Sequence, residues 1–507
     1  MLDIAVPPAF PLLLGALALP FLPKKLRSAG FVFITFLTLL LVWFQPAGLS
    51  LTVQVMDYSL MLLKTDALSR VFGLIFAFIV FAGSIYAYHI KDKTQHSFAL
   101  LYAGGALGVT FAGDLFTLFL YWELMAVAST YLIWARRNRE ARRAGFRYII
   151  YHVLGGGLLF MGILLHYGQT GSLSMRQFSP GEGAATWLML LGVIVNAAVP
   201  PLHTWLSDAY PKATVTGAVF LSAFTTKTAV YVLIRMFPGW EILLILGTIM
   251  TLYGVVFAIL SNDIRGILAY HIISQVGYMV AGVGIGTEMA LNGSAAHAFS
   301  HILYKALLFM GAGTVLYATG KSKLTELGGL HKRLRPALIL YMVAAFSISG
   351  FPFFNGFVSK SMVVAAAGET HHALAMLLLL LASVGTFLSV GLKLPYFTWF
   401  AEDRKIETKP LPPNMIVAMT LTAFFCFLHG VKPGLLYALL PHPVHFNPYT
   451  IPHLVETVQI LVFTFIAFWV LRKKLEPHAD IALDLDWLFR RPATFLRRVF
   501  VDGTAAL

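Results

Sequence analysis

The sequence predicts an all-α protein that crosses a membrane many times, and three observations support this fold class. First, 58% of the 507 residues are hydrophobic and 12% are charged, whereas a soluble protein carries about 25% charged residues. Second, apolar runs long enough to cross a bilayer as helices recur along the chain. Third, the basic residues cluster in short segments between these runs.

The apolar runs predict about 14–15 transmembrane helices joined by short connections. The predicted spans lie near residues 9–22, 28–45, 70–90, 98–112, 115–134, 145–167, 186–209, 214–236, 241–261, 266–285, 294–318, 335–366, 372–398, 411–431 and 454–472.

The net charge of +14 comes largely from basic segments between the spans, so it does not indicate nucleic-acid binding. These segments are residues 24–27, 91–93, 136–143, 263–265, 321–335 and 472–474. If the N-terminus is external, all six fall on one side of the membrane. Because basic loops are retained in the cytoplasm, we expect that side to be cytoplasmic.

Composition also excludes several classes of site. Cys426 is the only cysteine, so the chain holds no internal disulfide or thiolate metal cluster. The N-terminal MLDIAVPPAF has no basic region, which argues against a cleaved signal peptide. No nucleotide-binding motif or zinc-protease motif occurs in a sequence context that would allow its function. We therefore predict no catalytic residue, metal ligand or cofactor.

Two predicted spans are interrupted by helix-breaking residues. The segment VNAAVPPLHTWLSDAY contains Pro200 and Pro201, and GFPFFNGF contains Pro352 and Gly356. Proline removes a backbone donor and clashes with the preceding helical turn. Within a membrane, such a break is tolerated where the freed backbone is buried in protein or lines a wet cavity.

The two interruptions occupy corresponding positions in two halves of the chain, as in transporters built from repeats. Asn196 beside the first break is followed by Lys227, and Lys360 beside the second is followed by Lys393. Each half has five spans, so the second repeat must be inverted. The predicted regions are N-terminal helices 1–97, first repeat 98–236, second repeat 237–400, C-terminal helices 401–474, and a cytoplasmic or surface amphipathic tail 475–507.

Ionisable side chains inside the predicted spans are the strongest functional signal. One charge near the bilayer centre costs at least ~2.5–3.5 kcal/mol on insertion scales, so several indicate a polar interior. Acids, lysines and histidines of this kind form proton relays. The candidates are Glu123, Lys227, His297, His301, Lys305, Lys360 and Lys393.

Four positions have competing interpretations. His152 and His203 are additional relay candidates, although each could also be a histidine that packs within the core. Lys393 lies nearer a span end, where a lysine can extend its ammonium group to the membrane surface. A structural ion pair with a lysine is the alternative role for Glu123.

Several motifs in consistent order over residues 60–400 resemble one known family. They are WE in the fifth span, PLHTWLSDAYPKATVTG, ILAYHIISQVGYM, HAFSHILYKALLF and GFPFFNGFVSK. The chain is similar to the proton-conducting antiporter-like subunits of respiratory complex I, membrane-bound hydrogenases and Mrp-type cation/proton antiporters. It looks closest to the D-type subunit of Mrp antiporters and the M-type subunit of complex I.

The resemblance implies two inverted five-helix repeats, each with a broken helix, and a central polar axis that carries protons. The key glutamate of the family matches Glu123, and its lysine after the first broken helix matches Lys227. The histidine and lysine of the connecting helix match His301 and Lys305, and the residue by the second break matches Lys360.

One position departs from the family pattern. The family usually has a lysine seven residues before the histidine of PLHTWL, and that lysine pairs with the glutamate; here the position is Asn196. An amide cannot titrate. Three interpretations remain: Glu123 pairs with Lys227 directly, a histidine such as His203 or His152 substitutes, or the first half does not conduct.

The functional prediction is a proton-conducting subunit of a multisubunit cation (Na⁺)/proton antiporter in a bacterial or archaeal cytoplasmic (inner) membrane. The expected partners are other membrane subunits, membrane lipid, H⁺ and, in an antiporter, Na⁺, with no nucleic acid. The main alternative is a proton-pumping subunit of a complex I-like or hydrogenase redox complex, a quinone- or ferredoxin-linked translocase. Two others are a non-conducting scaffold and an inorganic-carbon transporter subunit.

Overall fold

The computed structural model describes residues 5–479, 483–485, 487–488 and 492, and these residues are predominantly helical. Eleven helices within this part of the chain are long and apolar enough to cross a membrane, by length and composition. Each predicted span coincides with one helix or one interrupted helix. The predicted all-α polytopic membrane fold is confirmed. Most of the predicted tail, 475–507, lies outside the described residues.

The N-terminal region contains the helices α1 (Ala9–Ala18), α2 (Arg27–Phe44) and α3 (Ala67–Tyr86). Between α2 and α3 an antiparallel hairpin joins β1 (Ser50–Val55) to β2 (Tyr58–Lys64). This hairpin was not predicted. The Met61 backbone N–H donates to the Asp114 carboxylate at 2.7 Å, which attaches the hairpin to the first repeat.

The helices of the first repeat are α4 (Lys93–Phe111), α5 (Leu115–Trp134), α6 (Arg139–Thr170), α7 (Ala184–Asn196), α8 (Thr204–Ala209), α9 (Gly217–Ala223) and α10 (Thr225–Met236). The first proline break separates α7 from α8. The next span is also irregular, because α9 and α10 meet at an interruption around Phe224.

The second repeat repeats this order with α11 (Glu241–Leu260), α12 (Ile264–Ile285), α13 (Glu288–Thr319), α14 (Arg335–Ser349), α15 (Asn355–Glu369) and α16 (Ala373–Thr386). The last helix continues as π-helical turns at Phe387–Lys393 and Tyr396–Phe400. The C-terminal helices are α17 (Pro413–Val431), α18 (Pro433–Tyr437) and α19 (Ile451–Leu471).

Matching local structures relate the two repeats. Asp114 caps α5 and Asp263 caps α12, each by accepting hydrogen bonds from backbone N–H groups of the first turn. A helix of 32 residues follows in both repeats, α6 and α13. The first N–H of α5 then donates to the Leu173 carbonyl (2.9 Å), and that of α12 to the Ser322 carbonyl (2.8 Å).

The direction of the chain inverts between these matched structures. Five spans separate the start of α5 from the start of α12, so the two helices enter from opposite faces of the bundle. Equivalent helices therefore run antiparallel across the molecule. This arrangement confirms two inverted five-helix repeats, each with a broken helix.

The first interruption spans residues 197–203, and the peptide bond between Pro200 and Pro201 is cis. Its freed backbone groups are accommodated within the protein. The Trp205 indole N–H donates to the Val195 carbonyl at 3.0 Å, across the break. Asn196 is the last residue of α7 and is buried.

The second interruption lies at residues 350–354, which corrects one predicted break position. Gly350 adopts a left-handed conformation (φ 78°) at the end of α14, and Pro352 follows it. Gly356, predicted as part of the break, instead lies in the first turn of α15. A Cβ atom there would lie 1.8 Å from the Ser347 carbonyl oxygen. Glycine is required because α15 packs closely against α14.

Candidate proton pathway

Glu123 lies on α5 and faces a glycine of α6. A Cβ atom on Gly156 would lie 1.8 Å from Glu123 Oε1, so any other residue there would displace the carboxylate. Within the described residues Oε1 is buried without a hydrogen-bond partner, and no ion pair joins Glu123 to Lys227. The direct Glu123–Lys227 pair considered from the sequence is therefore not formed. A buried carboxyl oxygen of this kind needs a proton or internal water.

His152 occupies the place beside Asn196. Its Nδ1 lies 2.8 Å from Asn196 Oδ1, and both side chains are buried. His152 Nε2 has no partner among the residues that the structure describes. The histidine is one helical turn before Gly156, so it shares the face of α6 that contacts Glu123. A titratable imidazole thus adjoins the position where the resemblance implies a lysine.

Hydroxyl groups extend from His152 towards α10. The Tyr148 ring lies 4.1 Å from the His152 ring between centroids, and its hydroxyl donates to Ser129 Oγ at 2.9 Å. The same hydroxyl is 3.5 Å from Thr225 Oγ1, in the first turn of α10. Lys227 follows two residues later. These groups form a polar connection from α6 to the α9–α10 interruption.

Three buried lysines are bound in the same way. Each ammonium group donates to a backbone carbonyl near the C-terminal end of a helix, where carbonyls are unpaired and the helix dipole is negative. The pairs are Lys227 with Ser222 (2.6 Å), Lys360 with Ile348 (2.9 Å) and Lys393 with Ile259 (2.5 Å). Lys393 is therefore a buried side chain whose ammonium group lies at the end of α11.

His301 and Lys305 lie between the repeats on α13, and both are fully buried. Neither imidazole nitrogen of His301 and no atom of the Lys305 ammonium group has a hydrogen-bond partner in the described part of the chain. Lys227 is close enough to interact electrostatically with both residues. Groups this polar require internal water when protein partners are missing.

His297 connects this pair to the second broken helix. Its Nε2 lies 3.2 Å from Gln275 Oε1 on α12, and its Nδ1 lies 3.1 Å from Ser359 Oγ on α15. Ser359 immediately precedes Lys360. The three residues predicted on one face of α13, His297, His301 and Lys305, thus lead from the first repeat to the second.

His271 on α12 is a further buried histidine beside this row, and it was not predicted. Its Nε2 lies 2.6 Å from Ser389 Oγ, while its buried Nδ1 has no partner among the described residues. When Asp114 is aligned with Asp263, Glu123 corresponds to residue 272, beside His271. Aligning the repeats on their capping aspartates could have identified this histidine.

A cavity of about 660 Å³ opens beside Lys360, between α15, α16 and α19. Its lining includes Lys360, Ser383, His453 and Glu456. Lys360 therefore ends the buried row at a space large enough for several water molecules.

His203 lies at the end of the first break and is fully buried. Its Nε2 is 3.1 Å from Asp484 Oδ1, a residue of the C-terminal tail. The structure therefore does not pair His203 with Asn196, which contacts His152 instead.

Sequence comparison gives the family of the chain. The profile described as "NADH:quinone oxidoreductase/Mrp antiporter, TM" matches residues 112–389, more than half of the chain. The chain belongs to this family. The match includes both interrupted helices and the buried row up to Lys360, so the family resemblance inferred from the motifs is confirmed.

Two kinds of named protein are similar to this chain over most of its length. The D-type subunit of the Na(+)/H(+) antiporter of Alkalihalophilus pseudofirmus is 28% identical over 409 residues, which cover 76% of this chain and 81% of that protein. Hydrogenase-4 component B of Escherichia coli is 26% identical over 437 residues, covering 77% of this chain and 65% of that protein.

Among solved structures, a protein of the Mrp complex from Dietzia sp. DQ12-45-1b has the same fold. The TM-score is 0.75 at 21% identity, and the match covers 90% of this chain and 97% of that one.

Proposed function

We propose that this chain conducts protons across the membrane as part of a multisubunit cation/proton antiporter. The path runs from Glu123 and His152 through Lys227, His301 and Lys305 to His297 and Lys360. The observation that carries the proposal is the buried pair His301 and Lys305, which have no protein partners among the described residues. The pair lies on α13, which packs against α9 and α10 of the first repeat and against α15 of the second.

Proton transfer along this row requires water between the side chains. Protonation of one group changes the affinity of its neighbours for protons, because the charges interact in a medium of low dielectric constant. The row therefore titrates as a coupled set, and a proton that enters at one end favours release at the other. The cavity beside Lys360 supplies a route for release, on the side that the sequence predicts to be external.

His152 takes part in the first half of the path. It contacts Asn196 directly and shares a helix face with the glycine opposite Glu123. A neutral imidazole can accept a proton at Nε2 when Nδ1 donates to the amide oxygen of Asn196. The second interpretation considered for Asn196, a substitute histidine, therefore has support from geometry, with His152 as that histidine.

Sodium is the cation that we propose for exchange, and the assembly includes other membrane subunits in a bacterial or archaeal cytoplasmic membrane. The similarity to the D-type subunit of a Na(+)/H(+) antiporter supports this interpretation. The exposed apolar faces of α2 and α19, which have few buried residues, suit contact with lipid or neighbouring subunits.

A redox-driven proton pump is the second candidate function, since hydrogenase-4 component B is a relative of comparable identity. Purification of the intact complex distinguishes the two candidates. Subunits with iron–sulfur or quinone sites would indicate a redox pump, and small membrane subunits without cofactors would indicate an antiporter. A third alternative, a scaffold that does not conduct, would not explain why the chain keeps a costly buried lysine that lacks a partner in the described part of the core.

The test is proton flux in membrane vesicles that contain the assembled complex with Glu123→Gln or Lys227→Ala. Both substitutions remove a titrating group from the row, so we expect each to abolish flux. The matched controls are Glu241→Gln and Lys432→Ala, which alter exposed residues at helix ends. Unchanged flux in both Glu123→Gln and Lys227→Ala, with normal assembly, would overturn the proposal.

A further inference from the structure

Asp484 of the C-terminal tail contacts the first broken helix. Its carboxylate accepts hydrogen bonds from Ser207 Oγ (3.3 Å), Tyr270 Oη (2.7 Å) and the Tyr253 hydroxyl, and Oδ1 lies 3.1 Å from His203 Nε2. These donors come from α11, α12 and the segment around α8. Four polar side chains around one carboxylate form a specific binding site for it rather than a chance surface contact.

The position of Asp484 joins this buried site to the surface. Its side chain is 9% exposed, while the preceding Leu483 is 62% exposed. The chain is therefore at the surface at Leu483, and the Asp484 carboxylate points into the bundle. On the inner side, His203 is completely buried, and its Nδ1 has no hydrogen-bond partner among the described residues.

The site also lies next to the part of the first repeat that departs from the family pattern. His203 follows Asn196 by seven residues, across the proline break. The neighbouring Thr204 Oγ1 is 2.9 Å from the hydroxyl of Tyr151, which precedes His152 in α6. A short polar route thus connects the Asp484–His203 pair with the Asn196–His152 pair.

We propose that Asp484 and His203 form a proton-exchange site at the mouth of the first broken helix. The inference rests on the proposed function, because it supplies the entrance of the same path. His203 accepts in the tautomer that carries its hydrogen on Nδ1. A proton from solvent binds the carboxylate and moves from Oδ1 to His203 Nε2, and the imidazolium then releases its Nδ1 proton to internal water. The pair regains its original charge, and a flip of the imidazole ring again presents an unprotonated nitrogen to the carboxylate.

Charge and topology agree with this role. Burial raises the pKa of Asp484, but hydrogen bonding to His203 and its charge outweigh burial and hold the pKa below its usual value. The group is therefore ionised between transfers, and it passes a bound proton on readily because its proton affinity is low. The tail follows the basic segment 472–474, on the side predicted to be cytoplasmic, opposite the cavity beside Lys360.

The experiment measures proton flux in vesicles with the assembled complex carrying Asp484→Ala, Asp484→Glu or the tail control Glu476→Gln. Glu476 is a carboxylate near the surface of the tail. We expect Asp484→Ala to lower flux about tenfold, less than the roughly hundredfold or greater effect typical of a direct proton-transfer group, while Asp484→Glu and Glu476→Gln retain most of it. Added formate should restore flux in Asp484→Ala, because a soluble carboxylate can occupy the vacated site.

Formate is also given to the wild-type complex, and chloride at equal ionic strength to every variant, to correct for permeation of formic acid. A carboxylate that only anchors the tail would give a loss that neither formate nor Asp484→Glu relieves, and that result overturns the inference. Unchanged or increased flux in Asp484→Ala overturns it as well. In the same assay, loss of flux in Glu123→Gln and Lys227→Ala keeps the proposed function intact whatever Asp484 does.

Discussion

The two five-helix repeats share one helical scaffold but obtain the polar groups at their interrupted helices in different ways. In the second repeat the groups are internal: Lys360 donates to the Ile348 carbonyl at the end of α14, and Ser359 contacts His297. In the first repeat Asn196 stands before the break, where the family pattern has a lysine, and it contacts His152 on another helix. The carboxylate that contacts His203 at this break belongs to Asp484 of the C-terminal tail, outside the repeat.

The difference follows from how each break satisfies its freed carbonyls. At the second break the Lys360 ammonium group donates a hydrogen bond to the Ile348 carbonyl. At the first break the Trp205 indole N–H donates a hydrogen bond to the Val195 carbonyl. A neutral donor suffices there, so the helix end can be stable with an amide at Asn196. Satisfying the backbone and carrying a titratable charge are therefore separable roles.

The largest effect is expected where the two repeats meet. Lys305→Ala removes the buried ammonium group between Lys227 and His297, and proton flux should fall on the order of a hundredfold or more. Flux in vesicles with the assembled complex measures this. The control is Lys323→Ala, which alters an exposed lysine after the same helix. Equal flux in the two variants would show that the repeats do not act through α13.

A smaller loss, about tenfold, is expected for His152→Gln, because the first half loses the titrating group beside Asn196. A compensating change sharpens the comparison. Asn196→Lys introduces the lysine of the family pattern, and in the His152→Gln background it should restore part of the flux. If the double variant is no better than His152→Gln alone, His152 does not substitute for that lysine.

His271→Gln tests the equivalence of α5 and α12. The residue is the second-repeat counterpart of the region around Glu123, but its Nε2 is bound to Ser389 and the main row passes through His297. We expect a loss of about two- to fivefold in flux, below the typical range for a direct relay group. A loss as large as that of Glu123→Gln would place His271 in the main row.

The smallest effect concerns stability rather than flux. Trp205→Phe removes the indole N–H that binds the Val195 carbonyl across the first break, a loss of about 1 kcal/mol. The purified complex should melt at a slightly lower temperature and retain flux. A large loss of flux with unchanged melting temperature would mean that Trp205 acts in proton transfer, contrary to the separation of roles described above.

Much of this organisation could be predicted from sequence, because the membrane limits the possibilities. Apolar length identifies spans, proline identifies Pro200 and Pro201 as a break, and buried charge identifies residues such as Glu123 and Lys305. The two-repeat order follows from the paired interruptions. These signals are local in the chain, so they can be recognised without structural information.

The remaining features depend on contacts between distant segments. Asp484 lies far along the chain from His203, and an acid in a polar tail carries no sign of its destination. Gly356 was assigned to a break because glycine often interrupts helices, whereas its role is close packing against Ser347. His271 lacked a signal until the capping aspartates aligned the two repeats.

The central claim is that the two repeats conduct in series through one buried row. The most direct measurement compares proton flux per assembled complex for Glu123→Gln, in the first repeat, and Lys360→Ala, in the second, under the same pH gradient. A path in series predicts that each substitution alone abolishes flux. Substantial flux in either variant, with normal assembly, would contradict a single path through both repeats.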